Sequence, residues 1–298
     1  MYKGDRAFNV IGHIFMFVLT FFILMPFVLL ISSSFTAEES LIRYGYNFFP
    51  REPSLFAYEW LLVTNASVIL RAYIMSFVVT SSGVLLSLCI TTPLAYGLAK
   101  RGLPLRKFFI FFVFFTMIFN GGLVPTYINY TNVFGIGDTI FALLIPNLLT
   151  NGFFVLLMKS YFTSNIPNEI LEAAMIDGAG EFRIMMQIAI PMAKPIIATI
   201  AIFVGINYWN DWMNGFVYLV RRTDLFTIQN LLNRIMRNIQ VLQQTADLGT
   251  QAAVGLARAP LTGVRMAMAV MGVLPIVLVY PFVQRNFVKG ITLGGVKG

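Results

Sequence analysis

Charge is what this sequence has least of. Only 11% of its 298 residues are Asp, Glu, Lys or Arg, while 58% are hydrophobic. Soluble domains carry about a quarter charged residues, so the chain reads as an all-α membrane protein. Histidine occurs once, at His13, which excludes a His-cluster metal site. Cysteine also occurs once; Cys89 lies inside an apolar run, gives no disulfide framework, and reads as a small buried hydrophobe. The chain has no Gly-x4-Gly-Lys-Ser/Thr phosphate loop, so ATP-driven work has to come from another polypeptide. An intramembrane enzyme would need paired acids, a Ser/Lys or His dyad, or metal ligands at membrane depth. Asp211 is the sole candidate and has no acid partner in the apolar runs, so no catalytic residue, metal or cofactor is assigned.

The apolar runs that remain account for most of the length. A span needs about 20 residues, and six are read: 11–31, 72–99, 108–128, 139–157, 195–220 and 266–283. The run from Ile11 to Ile31 is too long for a signal-peptide core and no Ala-x-Ala site follows, so it is read as a retained first span. Orientation follows the cations. Lys100, Arg101, Arg106 and Lys107 crowd one short loop, whereas residues 120–138 hold no Lys or Arg. Short loops set orientation, and positive ones stay inside. Both termini are therefore expected in the cytoplasm, with long external segments at 32–70 and 221–262 and an internal tail at 284–298. The net charge of +8 could suggest nucleic acid or anionic lipid but is read as this loop bias; membrane lipid, and no nucleic acid, is expected around the chain.

The longest internal interruption is 162–191. Its Ile166 to Pro191 stretch holds Glu172-Ala173-Ala174, then Gly178 after three residues, and ends in Ile188, Ile190 and Pro191. Pro167 suits a first helical turn and Asn168 is a candidate cap. Ile170, Ala173, Ala174 and Asp177 recur by three and four along one side of a helix. Gly178 permits a sharp turn, Glu181 to Gln187 make a second short helix, and Pro191 is expected to end it. The bland alternative is an ordinary amphipathic loop.

The spacing Glu-Ala-Ala, three residues, Gly, nine residues, Ile-x-Ile-Pro resembles the EAA loop of membrane subunits of ATP-binding-cassette importers, with Ile190 where the pattern usually has Leu. The ending from Tyr280 to Gly298 resembles that of the maltose-type sugar permeases, in particular the G-type subunit. Phe119 to Tyr127, with its Gly121-Gly122-Leu123-Val124-Pro125-Thr126-Tyr127 run, is similar to the subgroup that imports complex oligosaccharides. The resemblance implies a type I importer permease in a bacterial cytoplasmic membrane. Its partners would be a second homologous permease, a cytoplasmic ATPase dimer holding ATP and magnesium, and an extracytoplasmic sugar-binding protein. It implies coupling through Glu172, Ala173, Ala174, Asp177, Gly178 and Pro191, and a tail contact with the ATPase through Lys289, Gly294, Gly295 and Lys297. A permease for amino acids or peptides shares the loop; the tail argues for sugars. A self-sufficient carrier would not need the loop.

Two further regions bear on the solute. Residues 207–214 read Asn-Tyr-Trp-Asn-Asp-Trp-Met-Asn within the fifth span. A carboxylate at a helix centre in lipid costs roughly 2.5–3.5 kcal/mol, so these groups must face protein or water. Asn207, Trp209, Asn210, Asp211 and Trp212 are candidates for a sugar pathway, with helix-locking hydrogen bonds as the alternative. In 221–262, Leu225, Ile228, Leu231, Leu232, Ile235, Ile239 and Leu242 have helical spacing, followed by a small, polar stretch. The resemblance makes that stretch the loop that reaches into the binding protein, through Thr245, Asp247, Gly249 and Gln251. Arg221, Arg222, Arg234 and Arg237 could suit an acidic binding protein or an acidic oligosaccharide, though such charges are more often simply a solvated face.

Overall fold

The computed structural model describes residues 3–64, 66–246 and 261–291. Helices dominate; among the described residues the β-type pairing is one isolated bridge between Thr36 and Pro53. The chain divides into two compact units, residues 1–70 with 232–275 and residues 71–231 with 276–298.

The first unit begins with α1 (Lys3–Ser34). Its side chains are exposed on every side from Phe8 to Phe27, as suits a helix that meets lipid or a partner rather than its own core. The stretch after it, expected as a polar external segment, folds into α2 (Glu38–Tyr44) and α3 (Phe56–Glu59), the latter continued by a π turn at Trp60–Thr64. Its hydroxyls explain why it is ordered. Ser32 Oγ donates to Asn47 O at 2.7 Å, Thr36 Oγ1 to Ser32 O at 2.8 Å, and the Ser34 and Tyr58 hydroxyls lie 2.8 Å apart. The Glu38 carboxylate accepts from the N–H groups of Thr262 and Gly263 at 2.8 and 2.7 Å. It thereby satisfies two of the orphan donors at the start of the last helix, α15 (Leu261–Ile291).

The second unit carries α4 (Ala66–Ala99) from Arg71 onward, then α5 (Arg106–Ile118), α6 (Leu123–Ile128) with a π turn at Asn129–Val133, α7 (Phe141–Leu144) and α8 (Gly152–Asn165). After these come α9 (Asn168–Ile176), α10 (Glu181–Ile184) with a π turn at Met185–Ala189, and α11 (Ile190–Met192). The series ends with α12 (Lys194–Asn210), α13 (Met213–Tyr218) and the start of α14 (Ile228–Ala246).

Its core closes on Tyr208, fully buried, whose hydroxyl donates to Leu144 O at 2.7 Å. The ring lies against Gly83 so closely that a Cβ there would sit 2.5 Å from it. Glycine on α4 is thus what lets α12 approach, the small-residue packing expected of membrane helices. Gly152 serves α5 and α8 in the same way, with Val113 O only 3.0 Å from a would-be Cβ.

Several expected spans differ from what is observed. Among the described residues, Phe8–Ser34 and Ala66–Ala99 are the helices long and apolar enough to cross a membrane, and counting each of two bent pairs as one raises the number to four. The third span does not run straight to 128: α5 and the Leu123–Val133 segment meet at 113°. The fourth is broken between α7 and α8, where Asn147 takes φ +61°. The fifth is broken at Asp211. The sixth runs on beyond 283 as helix to Ile291, so the first part of the expected flexible tail is helical. Cys89 is exposed rather than buried, on a face of α4 free to meet lipid or another subunit.

Candidate functional site

The segment with the Glu-Ala-Ala spacing folds as two helices about a glycine corner. Pro167 occupies the cap position of α9 with φ −62° and ψ 131°, and no side chain caps the helix. Asn168 is therefore the first helical residue rather than the cap. A proline already extended at this point makes a separate cap unnecessary for the turn into the helix.

At the other end the chain closes in a Schellman motif. Ala179 N–H donates to Ala174 O at 2.9 Å and Gly178 N–H to Met175 O at 3.0 Å. Gly178 sits at φ +79° with nothing within 4 Å of a would-be Cβ. The demand for glycine is thus conformational and not steric: the left-handed backbone alone excludes a side chain at low cost.

From Gly180 the chain re-enters helix and continues through Pro191 to Met192, bending by 79° only at Ala193. Pro191 does not end the second helix, as was expected. The π turn at Met185–Ala189, with Ile190 N–H donating to Met185 O, widens the register just before Pro191. That accommodates a ring which would otherwise press on the carbonyl four residues back.

The two faces of this knob differ. Ile184, Met185 and Ala189 are buried, as are Phe162 and Ile166 just before it. Outward, Ile176 is 87% and Phe182 69% exposed, with Ile170, Met175 and Met186 also exposed. Glu169, Glu172, Asp177 and Glu181 are exposed around them. Of the predicted coupling residues, Glu172, Ala173, Asp177 and Gly178 are exposed, Ala174 is half-buried, and Pro191 stands on the second helix. Apolar side chains this exposed, ringed by acids and lying outside the apolar runs, form an uncovered patch of the kind found at interaction surfaces. Sequence reasoning did not include the ion pair between Lys100 and Glu181, with Lys100 Nζ also 4.9 Å from the Tyr96 ring centroid. It ties the basic loop to the knob, and the only signal was that both segments had been placed on one side of the membrane.

The polar cluster at 207–214 is largely occupied by its own fold. Asp211 Oδ1 accepts from the N–H groups of Met213 and Asn214 at 3.1 and 3.3 Å, capping α13. Asn214 is buried and donates to Pro146 O at 2.9 Å. Asn207 and Asn210 are exposed, and Trp209 and Trp212 half-buried. The indole of Trp212 and the ring of Phe216 lie 6.1 Å apart.

Beyond α13, Asp138 fastens the chain. Its Oδ1 accepts from Val220, Arg221 and Arg222 N–H at 2.8, 2.8 and 3.2 Å, and its own N–H donates to Tyr218 O at 3.0 Å. These N–H groups hold its carboxyl below the usual carboxylate range. Arg222 is paired bidentately with Asp224 at 2.8 Å, so one of the four cations of this region is neutralised locally. The helix expected here is α14, starting at Ile228. Thr245 lies in it, whereas Asp247, Gly249 and Gln251 lie outside the described residues. Lys289 lies in α15; Gly294, Gly295 and Lys297 lie outside the described residues as well.

No family model matches the chain. It is 33% identical over 295 residues, 99% of each chain, to the polygalacturonan/rhamnogalacturonan transport system permease protein YtcP of Bacillus subtilis. It is 28% identical to the maltodextrin transport system permease protein MdxG of the same organism, covering 96% of this chain and 95% of that one. Among solved structures it resembles a chain of a bacterial ABC transporter involved in the import of the acidic polysaccharide alginate. There the TM-score is 0.79 with 29% identity, covering 96% of this chain and 99% of that one.

Proposed function

The chain belongs to the permease subunits of carbohydrate ABC importers, and from that membership we propose that it forms half of the membrane pathway of an importer for acidic, uronate-containing oligosaccharides. It is a transport subunit and not an enzyme. The family works with a partner ATPase and a binding protein. Here the pathway is completed by a second homologous permease in a bacterial cytoplasmic membrane. The chain crosses that membrane six times with both termini in the cytoplasm, a reading supported by the cation bias of the short loops. The ATPase dimer docks on the knob at 162–191 and touches the tail, and the external stretch after α14 meets the binding protein.

The observation that carries the coupling role is the exposed apolar face of Ile176 and Phe182, held by the left-handed Gly178 corner, in a chain that has no phosphate loop of its own. A rigid corner transmits displacement of α9 to the helix running into α12. The acidic substrate is supported by two of the named proteins, one a polygalacturonan permease and the other from an alginate importer. Neither Asp211 nor Asn214 is needed to read it, because both are engaged within the fold. Asn207 and Asn210 are the members of that cluster left to meet a solute.

Deletion of this chain from its native strain, complemented by wild type or by Gly178→Leu, tests both parts. Wild type is expected to restore uptake of labelled oligogalacturonate well above that of maltotriose. Gly178→Leu is expected to reach the membrane at normal level yet lose at least about tenfold in uptake, since a side chain in the left-handed region costs about 1–2 kcal/mol and shifts the corner. Equal uptake of the neutral and acidic sugars overturns the substrate, and normal uptake by Gly178→Leu overturns the coupling.

A further inference from the structure

The stretch from Phe119 to Tyr127 has no part in coupling, yet the fold gives it a defined place. It makes the corner between α5 and α6, where the chain turns by 113°. Gly122 takes φ +85° there, and Asn120 Oδ1 accepts its N–H at 2.9 Å, so the corner is held by a hydrogen bond of its own. Beside it opens a cavity of about 490 Å³ whose lining includes Phe119, Asn120, Thr126, Asn129, Tyr130 and Asn147. That volume falls in the range of about 300–1,000 Å³ typical of small-molecule sites.

The lining is rich in amides, hydroxyls and aromatic rings, and none of its residues carries a charge. Thr126 Oγ1 is committed to Gly122 O at 2.6 Å, and the Tyr130 ring is steadied by Phe134 and Tyr218, with centroids 6.0 and 6.1 Å away. Asn129 and Asn147 are exposed, and their side chains make no hydrogen bond among the described residues, so their amides stand open to the cavity. Asn147 moreover stands at φ +61°, a conformation asparagine tolerates better than most residues but still at some cost. Amides open in this way exchange water for a solute hydroxyl without breaking a bond within the fold.

We infer that this cavity is a pyranose subsite on the transport path, taking one sugar unit of the oligosaccharide in passage. The amides of Asn129 and Asn147 meet hydroxyls, and the rings of Tyr130 and Phe119 meet the C–H face of the sugar. Because the lining is uncharged, the subsite reads hydroxyls and stacking, and preference for a carboxylate is exercised elsewhere. The inference rests on the chain being a sugar permease and not on the acidity of its sugar.

The test uses the complete importer in proteoliposomes, with trigalacturonate and maltotriose as probes. Asn129→Ala removes one amide, and Asn147→Gly removes the other while keeping the left-handed backbone. Each is expected to lower the rate for the transported probe about three- to tenfold, the factor that one net hydrogen bond represents, by the same factor for an acidic or a neutral probe. ATPase activity stimulated by sugar-free binding protein is expected to stay unchanged. A second measurement places a thiol at the site, Asn129→Cys in a Cys89→Ser chain, and follows methanethiosulfonate labelling. The transported sugar is expected to slow it. Unchanged transport by both amide variants, or labelling blocked by assembly with the partner permease and indifferent to sugar, overturns the subsite. A wild-type importer that carries maltotriose and refuses trigalacturonate refutes the acidic substrate while the amide variants still decide the subsite.

Discussion

Two helix–break–helix segments follow one another in this chain, at 168–192 and 194–218, and they use their side chains in opposite ways. In the first the break is Gly178, closed by backbone hydrogen bonds alone, and large apolar side chains are left uncovered. In the second the break is Asp211, and the carboxylate, the Asn214 amide and the Tyr208 hydroxyl are all engaged within the fold. A polar cluster in an apolar span looks functional because it is costly there, but the same cost is met when such groups bond to one another. Apolar groups left in the open have no such internal solution.

The largest effect that would break this contrast is at the second segment. Gly83→Val would drive a side chain into the Tyr208 ring, where even a Cβ stands 2.5 Å away. Overpacking of this kind costs about 1–3 kcal/mol. The expected result is a lowered midpoint of thermal unfolding in detergent, whereas Gly205→Ala, whose Cβ would lie 3.5 Å from Val84, leaves the midpoint in place.

At the first segment the same measurement should be nearly silent. Ile176→Ser combined with Phe182→Ser alters exposed positions, so stability should change by no more than about 0.5 kcal/mol. ATPase binding should weaken by about tenfold or more, because exposed apolar anchors at an interface are worth over about 1 kcal/mol each. Co-purification titrated with the ATPase reads this out, and unaltered affinity would remove the docking face.

The smallest effect concerns Asp138, a polar fastener at the edge of the second segment. Its carboxyl is held below the ordinary value of about 3.9 by the N–H groups of residues 220–222. A depressed value means that the fastening is complete above the ordinary carboxylate pKa and is lost as pH falls through the lowered one. Hydrogen exchange at 218–222 should therefore quicken only in strong acid for wild type, and already at neutral pH for Asp138→Asn, which should show no acid step.

Much of this was legible from residue order. The glycine corner at 178 and the helices on either side follow from spacing and from the backbone freedom of glycine, both local properties. The membrane character follows from composition, since a chain with so few charges cannot clothe itself in water. The continuity of helices was not legible. Pro191 looked like a stop but is passed by a π turn, because the widened register needs no N–H where proline lacks one. The run 108–128 offered a span to Phe119 with an extension through the Gly121-Gly122 break; the chain bends there by 113°, and the Asn120 side chain supplies a hydrogen bond that hydropathy does not record. Cys89 looked buried because its neighbours in sequence are apolar, whereas burial in lipid and burial in protein have the same hydropathy.

The sequence by itself determined that this is a membrane subunit without a phosphate loop of its own, and where its loop with the Glu-Ala-Ala spacing turns at a glycine. Both follow from residue types and from spacings of a few residues. Only the tertiary structure decided which polar groups are already satisfied and which still lack partners. Asp211 finds its donors within three residues, but Asn214 finds its acceptor 68 residues away and Tyr208 finds its acceptor 64 away. Asn129 and Asn147 are instead exposed, beside a cavity that appears only when the chain turns back at Gly122. Hydrogen bonding between distant residues depends on a few tenths of an ångström in space, and no pattern along the chain carries that information.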